Sequence, residues 1–410
     1  APANLPPRSL VIFPLMEDFL CCGLAGILTV RKHGTGGHQA DLVTPLEAAL
    51  RTLRQKGMAA LLAGEAEPSS YLGGEKTLAE LDRLILSLKE EEAFLRLVVA
   101  PEKARRVAAC TGETKDFAAA EEKFLEENAL RFSTADLELL NSRQVLLRDI
   151  AWALEKDILE NIGRTTDLAG GQDASLSPAA LKKYVPLNYL LNSLDRLEVR
   201  GRDSAGIQIS VTGRDPGAWK AARARIAAAG LEEEFLSRTK GGDLVNGSIH
   251  LCVAGEDPAA PETERPPGTP GNIPGLRGGG PTLSFVYKTA SIIGELGRNV
   301  RELRASISRD RILHLLADLE TSFTVSLAHT RWASVGSITE ENCHPINNHT
   351  QGDHTGGGAV KNFPAYGRGK WSISVVLNGD IDNYRELRRH LESDGDLIAP
   401  EITTDTKIIP

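Results

Sequence analysis

The chain has 410 residues, of which 41% are hydrophobic and 25% are charged, as in an ordinary soluble globular protein. Its formal net charge of −8 gives no reason to expect a nucleic-acid partner. No apolar run is long enough to span a bilayer, and no secretory signal is expected at the start of the chain. The five scattered cysteines fit a reducing, cytoplasmic compartment, and their spacing is not that of a zinc site, so we expect neither a metal nor a cofactor.

The first predicted element follows a pair of cysteines. Residues 1–21 are rich in proline and then apolar, and they end directly before Cys22. The run from Gly23 to Val30 predicts a buried strand. By itself, a cysteine that opens a strand is a weak functional signal, because buried cysteines are common.

Helical periodicity dominates residues 44–163. Thr44, Pro45 and Glu47 predict a helix start, with Thr44 as the N-cap of a capping box. Gly163 predicts the last helical stop. Leucine and isoleucine recur at helical spacing within residues 46–53, 78–88 and 147–158. We interpret these apolar stripes as the core of a small helical bundle, and the alternative is a surface that docks another subunit.

The middle of the chain alternates between polar stretches and short elements. Residues 165–186 predict a polar linker, and residues 187–197 a short amphipathic helix. Alternating apolar residues at 207–211 predict a half-buried strand, and residues 217–239 are predicted to be helical. Proline and glycine are dense in residues 254–281, which predicts a disordered loop.

The last part of the chain predicts helices first and then strands. Residues 286–319 are expected to be helical, with a turn or cap at 308–310. Strands are predicted at 323–328 and 371–377, and a helix at 384–392. The end of the chain looks like the start of a further helix.

Short motifs at the ends of these predicted strands resemble one known family. In chain order they are Cys22-Gly-Leu-Ala-Gly-Ile, Arg200-Gly-Arg-Asp-Ser-Ala-Gly-Ile, His329-Thr-Arg-Trp-Ala-Ser, Asn342-Cys-His-Pro, Asn378-Gly and Thr404-Asp-Thr. The chain resembles class II glutamine amidotransferases, which are N-terminal-nucleophile hydrolases. The Arg200 motif favours the glutaminase half of glucosamine-6-phosphate synthases. The regions that carry the resemblance, about a third of the chain, are 22–31, 187–213, 282–345 and 371–409.

The resemblance implies an α+β fold, a four-layer αββα sandwich with a mostly helical insertion. Residues 22–43 would hold its first strand, residues 44–186 the insertion and linker, and residues 187–410 the remainder. A long insertion in a surface loop has only a modest entropic cost, so it would leave the sandwich intact. Synthases of the family continue into a sugar-phosphate isomerase half, so we expect this chain to be a piece of a larger protein. A homodimer is a further expectation from the family.

The resemblance also assigns the groups that would carry out catalysis. Cys22 would be the nucleophile, with its own free α-amine, whose pKa is about 8, as the base. The side-chain amide of Asn378 and the backbone N–H of Gly379 would bind the oxyanion of the tetrahedral intermediate. The substrate would be glutamine, and the ammonia acceptor would be a sugar phosphate, fructose 6-phosphate.

Four further residues would bind the substrate or support the site. Arg331 would hold the α-carboxylate of glutamine through a two-pronged ion pair, and Asp405 would bind its α-ammonium group. Trp332 would shape the pocket and its closing loop. Arg200 would lie beside the nucleophile and support the local network.

Each motif also has a purely structural interpretation. Arg331 could form a surface ion pair, Asp405 could cap a helix, and Asn378-Gly379 could be an ordinary turn. Leu377 and Val335 stand where relatives usually carry histidine, and both changes remove a polar group near the pocket. Two alternatives therefore stay open: a glutaminase with a phosphoribosyl-type acceptor, and a catalytically silent glutaminase-like scaffold used for assembly or regulation.

Cys22 has a free α-amine only if the residues before it are removed. We therefore expect residues 1–21 to be a leader or propeptide. The cut could be autocatalytic, with the Cys22 thiol attacking the Cys21 carbonyl. Before the cut, the apolar residues 10–15 are hypothesised to cover the cleft.

Overall fold

A computed structural model describes most of the chain. The described residues are 22–30, 41–171, 177–215, 217–240, 245–252, 280–290, 295–348, 373–394 and 398–410. The expected leader at 1–21 lies outside them, and so does the predicted loop 254–281 apart from its last two residues. Within the described ranges, no helix has both the length and the apolar character needed to cross a membrane.

An antiparallel sheet of five strands forms the frame of the molecule. The strands are β1 (Gly23–Val30), β2 (Ser204–Gly213), β3 (Ile249–Cys252), β4 (Thr282–Thr289) and β5 (Thr321–Arg331). Their order across the sheet is β1-β5-β2-β4-β3, with Gly23 opposite Thr330 and Ser204 opposite Arg331. The beginnings of β1 and β2 therefore lie beside the end of β5, and this arrangement brings three of the quoted motifs to one corner of the sheet.

Helices cover one face of this sheet. They are α8 (Pro178–Leu197), α9 (Gly217–Ala228), α10 (Glu232–Lys240), α11 (Arg298–Ser308) and α12 (Arg311–Ala317). Ile207 and Ile209 in β2 and Phe285 in β4 point into the buried core beneath them. Alternate residues of a strand point to opposite faces, so the period-two pattern of these strands sets which face the helices cover.

In the described part of the chain, segments that follow Cys343 approach the opposite face. Here β6 (Ile346–Asn347) pairs with β7 (Ser374–Val375), and α13 (Tyr384–Ser393) and a 3-10 helix (Asp405–Ile408) follow. Gly206 permits the contact, because a Cβ atom at that position would lie 2.0 Å from the carbonyl oxygen of His344. The fold is thus α+β, with helices on one face of an antiparallel sheet and a smaller layer on part of the other.

The expectation that β1 is a buried strand is wrong in part. Leu24, Leu28 and Val30 are 47%, 63% and 61% exposed. In the described part of the chain, β1 pairs only with β5 and forms an edge of the sheet. Its apolar side chains on the outer face are therefore not covered by any described element.

A separate helical unit lies between β1 and β2. Its helices are α1 (Val43–Gln55), α2 (Met58–Leu62), α3 (Gly74–Lys89), α4 (Glu91–Val99), α5 (Pro101–Asn128), α6 (Thr134–Trp152) and α7 (Glu160–Leu168). The predicted leucine and isoleucine stripes are buried together in one cluster, including Leu50, Leu81 and Leu154. Their interpretation as a bundle core is confirmed.

Two predicted helix boundaries in this unit are wrong. α1 begins at Val43, before the predicted Thr44 cap. The Asp41 carboxylate accepts hydrogen bonds from the Val43 N–H at 3.4 Å and the Thr44 hydroxyl at 2.7 Å, so Thr44 is not free to cap. Gly163 does not end a helix but lies inside α7, because a π-helical turn at 153–159 joins α6 to α7.

Three further predictions need correction. The predicted linker 165–186 is partly helical, because α8 starts at Pro178 with the Ser177 hydroxyl capping Ala180 N–H at 3.1 Å. The segment predicted as helical from 286 begins in β4, because its backbone pairs with the two neighbouring strands β2 and β3. The predicted strand 371–377 is reduced to the two residues of β7 in its described part.

Two of the remaining predictions are confirmed only in part: β2 is buried on both faces where a half-buried strand was predicted, and the helical stretch predicted at 217–239 is divided into α9 and α10. The positions of three elements and one cap are confirmed. β2 contains the predicted strand 207–211, β5 contains 323–328 and α13 contains 384–392. The Asp310 carboxylate caps α12 by accepting hydrogen bonds from the N–H groups of Ile312 and Leu313 at 3.0 and 2.9 Å.

Candidate active site

Cys22 lies at the corner where β1 begins and β5 ends. The backbone N–H of Trp332 donates to its sulfur at 3.3 Å, and the thiol lies 3.6 Å from the Trp332 carbonyl oxygen. The next residue, Gly23, donates its N–H to the Thr330 hydroxyl at 3.2 Å. Cys22 and the Arg331-Trp332 motif are thus adjacent, although 310 residues separate Cys22 from Trp332 in the sequence.

The half-buried thiol of Cys22 is held in its neutral form. Burial raises its pKa above the ordinary value, and the carboxylate of Asp380 raises it further. The backbone N–H of Trp332 and the charge of Arg331 act in the opposite direction without reversing the shift. A thiol in this environment needs a base before it can act as a nucleophile.

Two motif glycines allow the close packing of this corner. A Cβ atom on Gly23 would lie 2.6 Å from Cβ of Leu197. A Cβ atom on Gly201 would lie 2.8 Å from the carbonyl carbon of Arg331. Any side chain at these two positions would push the Arg200 segment away from the end of β5.

Arg331 is buried, with only 3% of its surface exposed. Its guanidinium donates to the carbonyl oxygens of Ser337 at 2.8 Å and Gly336 at 3.3 Å, and also to that of Val335. The alternative that Arg331 forms a surface ion pair is therefore wrong. In this conformation its N–H groups hold the loop that follows Trp332.

Burial and nearby acidic groups act on the pKa of Arg331 in opposite directions. Burial lowers its pKa, because desolvation penalises the cation. The buried carboxylates of Asp203 and Asp405 oppose this shift. The charge of Arg331 therefore interacts with acidic residues from two other quoted motifs, those of Arg200 and Thr404.

Asp405 is also buried, at the start of the C-terminal 3-10 helix. One carboxylate oxygen accepts the Ile381 N–H at 2.8 Å, and the other accepts the hydroxyls of Thr404 and Thr406, both at 3.3 Å. The helix-cap interpretation is wrong, because the capping position belongs to Thr404. Asp405 fixes the chain directly after the Asn378-Gly379 turn.

The Asn378-Gly379 turn is exposed. Gly379 has a φ of +152°, in the region that favours glycine. The neighbouring Asp380 accepts a hydrogen bond from the Ser334 hydroxyl, in the loop after Trp332, and its charge acts on Cys22. In the described part of the chain no hydrogen bond joins the Asn378 side chain to Cys22.

Arg200 is the predicted site residue for which the structure gives least support. It ends a 3-10 helix at 198–200, and its side chain is exposed. Within the described ranges it makes no hydrogen bond or ion pair that would connect it with Cys22. The following residues of its motif, from Gly201 to Asp203, make the contacts with the end of β5.

Two residues of the quoted motifs were missed as site residues. Asp203 is buried, and one of its carboxylate oxygens accepts the Ala333 N–H at 2.7 Å. The Asn342 amide oxygen accepts the N–H groups of Thr403 and Thr404 at 2.7 and 2.8 Å, and so it positions the segment before Asp405. Their place in the motifs was the available signal, but their role depends on contacts between distant segments.

Comparison with curated proteins finds relatives of one kind of enzyme. The chain is similar to proteins of the glutamine amidotransferase type, in agreement with the resemblance of its motifs. This similarity covers only part of the chain in each of the relatives described below. No family model matches the chain, and no solved structure matches it.

The relatives share the name glutamine–fructose-6-phosphate aminotransferase (isomerizing). The chain is 41% identical over 95 residues to the protein of Methanothermobacter thermautotrophicus, which is 23% of this chain and 12% of the relative. It is 37% identical over 86 residues to that of Clostridium tetani, which is 21% and 10%, respectively. It is 35% identical over 118 residues to that of Sulfurisphaera tokodaii, which is 29% and 16%. The chain thus spans a sixth or less of the curated relatives that it matches.

Proposed function

We propose that this chain carries a glutaminase that hydrolyses the side-chain amide of glutamine and supplies the ammonia to a sugar phosphate. One observation carries the proposal: Cys22, Arg331 and Asp405 come from distant parts of the sequence and converge at one corner of the sheet. A thiol, a buried guanidinium and a buried carboxylate are the groups needed to attack an amide and bind a free amino acid.

In this mechanism the α-amine of Cys22 takes the thiol proton while the sulfur attacks the amide carbon of glutamine. The oxyanion that forms is bound by the Asn378 amide and the Gly379 N–H, and one such donor is typically worth about 3 kcal/mol. The C–N bond then breaks, and the ammonia leaves with the returned proton. Water hydrolyses the thioester and releases glutamate. The raised pKa of the Cys22 thiol supports the need for this base.

Two charges select free glutamine over a peptide. Arg331 binds the α-carboxylate. To do so, its guanidinium releases the carbonyl oxygens of the 335–337 loop and donates its hydrogen bonds to the substrate. Asp405 binds the α-ammonium group with lone pairs that remain beside its bond to Ile381. Trp332 lines the pocket, and Arg200 acts at its outer edge.

The proposed reaction requires that the residues before Cys22 are removed. We propose an autocatalytic cut in which the Cys22 thiol attacks the carbonyl carbon of Cys21. The peptide C–N bond breaks, its nitrogen becomes the free amine, and water hydrolyses the resulting thioester. While residues 1–21 remain attached, the base is missing and the chain is a proenzyme.

We further propose that the fold is an αββα sandwich of the N-terminal-nucleophile type. The five-stranded antiparallel sheet with helices on one face and β6 and β7 towards the other supports this. The name of the relatives supports fructose 6-phosphate as the acceptor. We propose that an isomerase-type module of the full protein binds it. A phosphoribosyl acceptor is the alternative with the same glutaminase chemistry.

A silent scaffold is the competing function, and one observation favours it. The Arg331 guanidinium is occupied by the carbonyl groups of its own loop, as in a site that never binds a carboxylate. The helical unit 43–168 would then serve assembly or regulation.

The deciding experiment replaces the residues before Cys22 with a protease site in the full chain. The folded chain is cleaved so that Cys22 becomes the first residue, as checked by intact mass. Glutamate release from glutamine is measured before and after cleavage, with Cys22→Ala as the matched control. Activity that appears on cleavage and is absent from the control supports the glutaminase. A cleaved, folded chain without activity supports the scaffold.

A further inference from the structure

We propose that His329 and His344 form a neutral clamp that positions the oxyanion-binding turn through the backbone of Leu377. This inference rests on the proposed glutaminase function. Nε2 of His329 lies 2.9 Å from the Leu377 carbonyl oxygen, and the Leu377 N–H points at Nδ1 of His344 at 3.4 Å. The backbone N–H and carbonyl oxygen of Leu377, the residue directly before Asn378, are thus both held by imidazole rings.

The contacts fix the protonation of both rings. A carbonyl oxygen can only accept, so His329 carries its proton on Nε2. A backbone N–H can only donate, so Nδ1 of His344 is unprotonated and the proton of the neutral ring lies on Nε2. A cationic His344 would lose its bond to Leu377, so the clamp requires that His344 is neutral, whereas His329 needs only its proton on Nε2.

The surroundings keep the rings neutral. His329 is 0% and His344 4% exposed, and their ring centroids lie 4.4 Å apart. Burial and the charge of Arg331 together lower the pKa of His329 to about 4, although the hydrogen bond to the Leu377 carbonyl opposes the shift. Burial also lowers the pKa of His344, with the charges of Arg331 and Lys288 acting in the same direction.

Both histidines of the clamp are anchored on the five-stranded sheet. His329 belongs to β5, two residues before Arg331. His344 lies in the segment that rests on Gly206, so the sheet itself carries both rings. Beyond the turn, Asp405 fixes the N–H of Ile381. The exposed Asn378-Gly379 turn is therefore held at both ends, while the turn itself belongs to no helix or strand.

The clamp does not depend on the side chain at position 377. It uses only the backbone N–H and carbonyl of Leu377, so the loss of a histidine side chain there leaves it intact. An oxyanion site misplaced by about 1 Å can cost on the order of 100-fold in rate. The rings are positioning residues, because they act through Leu377 and do not touch the substrate.

Matched variants test the clamp in the full chain cleaved before Cys22. His329→Gln keeps a donor near Nε2, and His344→Asn keeps an acceptor near Nδ1, whereas His329→Leu and His344→Leu remove both bonds. We expect kcat for glutamine to fall about 10- to 100-fold in the leucine variants with KM nearly unchanged, and to recover in the amide variants. Alkylation of Cys22 by iodoacetamide should stay unchanged in all four, since it needs no oxyanion site.

A second measurement keeps the inference testable if the parent chain proves inactive, an outcome that would overturn the glutaminase proposal alone. In the uncleaved chain, ¹⁵N-histidine NMR should show both rings neutral and protonated on Nε2 at pH 7 and at pH 5.5. Hydrogen exchange at the Leu377 amide should accelerate in His344→Leu but not in His344→Asn. Unchanged kcat in the leucine variants, equal losses in the leucine and amide variants, or an Nδ1-protonated ring would each overturn the clamp.

Discussion

A carboxylate oxygen of Asp405 accepts a hydrogen bond from the backbone N–H of Ile381 at 2.8 Å. This bond connects the C-terminal 3-10 helix with the turn that contains Asn378 and Gly379. Asp405 therefore has two separable tasks in the proposed enzyme. Its charge attracts the α-ammonium group of glutamine, and its oxygen fixes the turn.

Substitution of Asp405 separates these two tasks. Asp405→Asn keeps an oxygen that can accept the Ile381 N–H but removes the charge, so KM for glutamine should rise about 10- to 100-fold with kcat largely kept. Asp405→Ala removes both, so kcat should fall as well. Steady-state glutamate release by the chain that begins at Cys22 measures both parameters. Equal kcat in the two variants would show that the bond to Ile381 does not position the turn.

The reactivity of the Cys22 thiol should report its surroundings even in the uncleaved chain. Because burial and Asp380 raise its pKa, alkylation at Cys22 should keep accelerating above the pH at which an ordinary thiol levels off. Asp380→Asn removes a negative charge and should move this profile to lower pH. Peptide mapping of iodoacetamide adducts gives the rate at Cys22 alone. Asp382→Asn, an exposed change in the same segment, should leave the profile in place.

The buried histidines should make the fold sensitive to acid. The folded-state pKa of His329, about 4, lies below its ordinary value of 6.5. Protonation therefore favours the unfolded chain, and the stabilisation present above pH 6.5 is lost as the pH falls towards 4. The loss for this group is on the order of 3 kcal/mol.

Urea unfolding between pH 7 and pH 4 tests this expectation. His329→Gln cannot be protonated in this range, so its free energy of unfolding should fall less steeply than that of the parent chain. His390→Gln, a change at an exposed position of α13, is the control and should follow the parent. Parallel curves for all three chains would contradict a neutral, buried His329.

The contact at Gly206 should be intolerant of any side chain. Gly206→Ala would place its Cβ atom 2.0 Å from the His344 carbonyl oxygen, and the backbone there must move. We expect a loss of about 1–3 kcal/mol or more in the free energy of unfolding. The matched control is Gly26→Ala in the same sheet, where the Cβ atom would meet its nearest neighbour at 3.4 Å. Equal melting temperatures for the two variants would exclude close packing at Gly206.

Local sequence patterns were sufficient to predict those helices and strands in which apolar residues recur with one clear spacing. The leucine stripes of the helical unit, the alternation in β2 and the strand before Arg331 were all predicted and are present. The same patterns misplaced the start of α8 and gave helix where β4 lies. In β4 the neighbouring strands β2 and β3 decide the conformation, and local sequence does not contain their positions.

The site shows the same division. The sequence by itself determined which motifs are present, in an order that resembles one family of amidotransferases, and from this it predicted that Cys22, Arg331 and Asp405 belong together. Only the tertiary structure decided that Arg331 is bound by its own loop, that Asp405 anchors Ile381, and that His329 and His344 hold Leu377. The physical reason is that these are hydrogen bonds to backbone atoms of other segments. A backbone atom carries no residue identity, so no pattern of side chains in the sequence can indicate which one will be held.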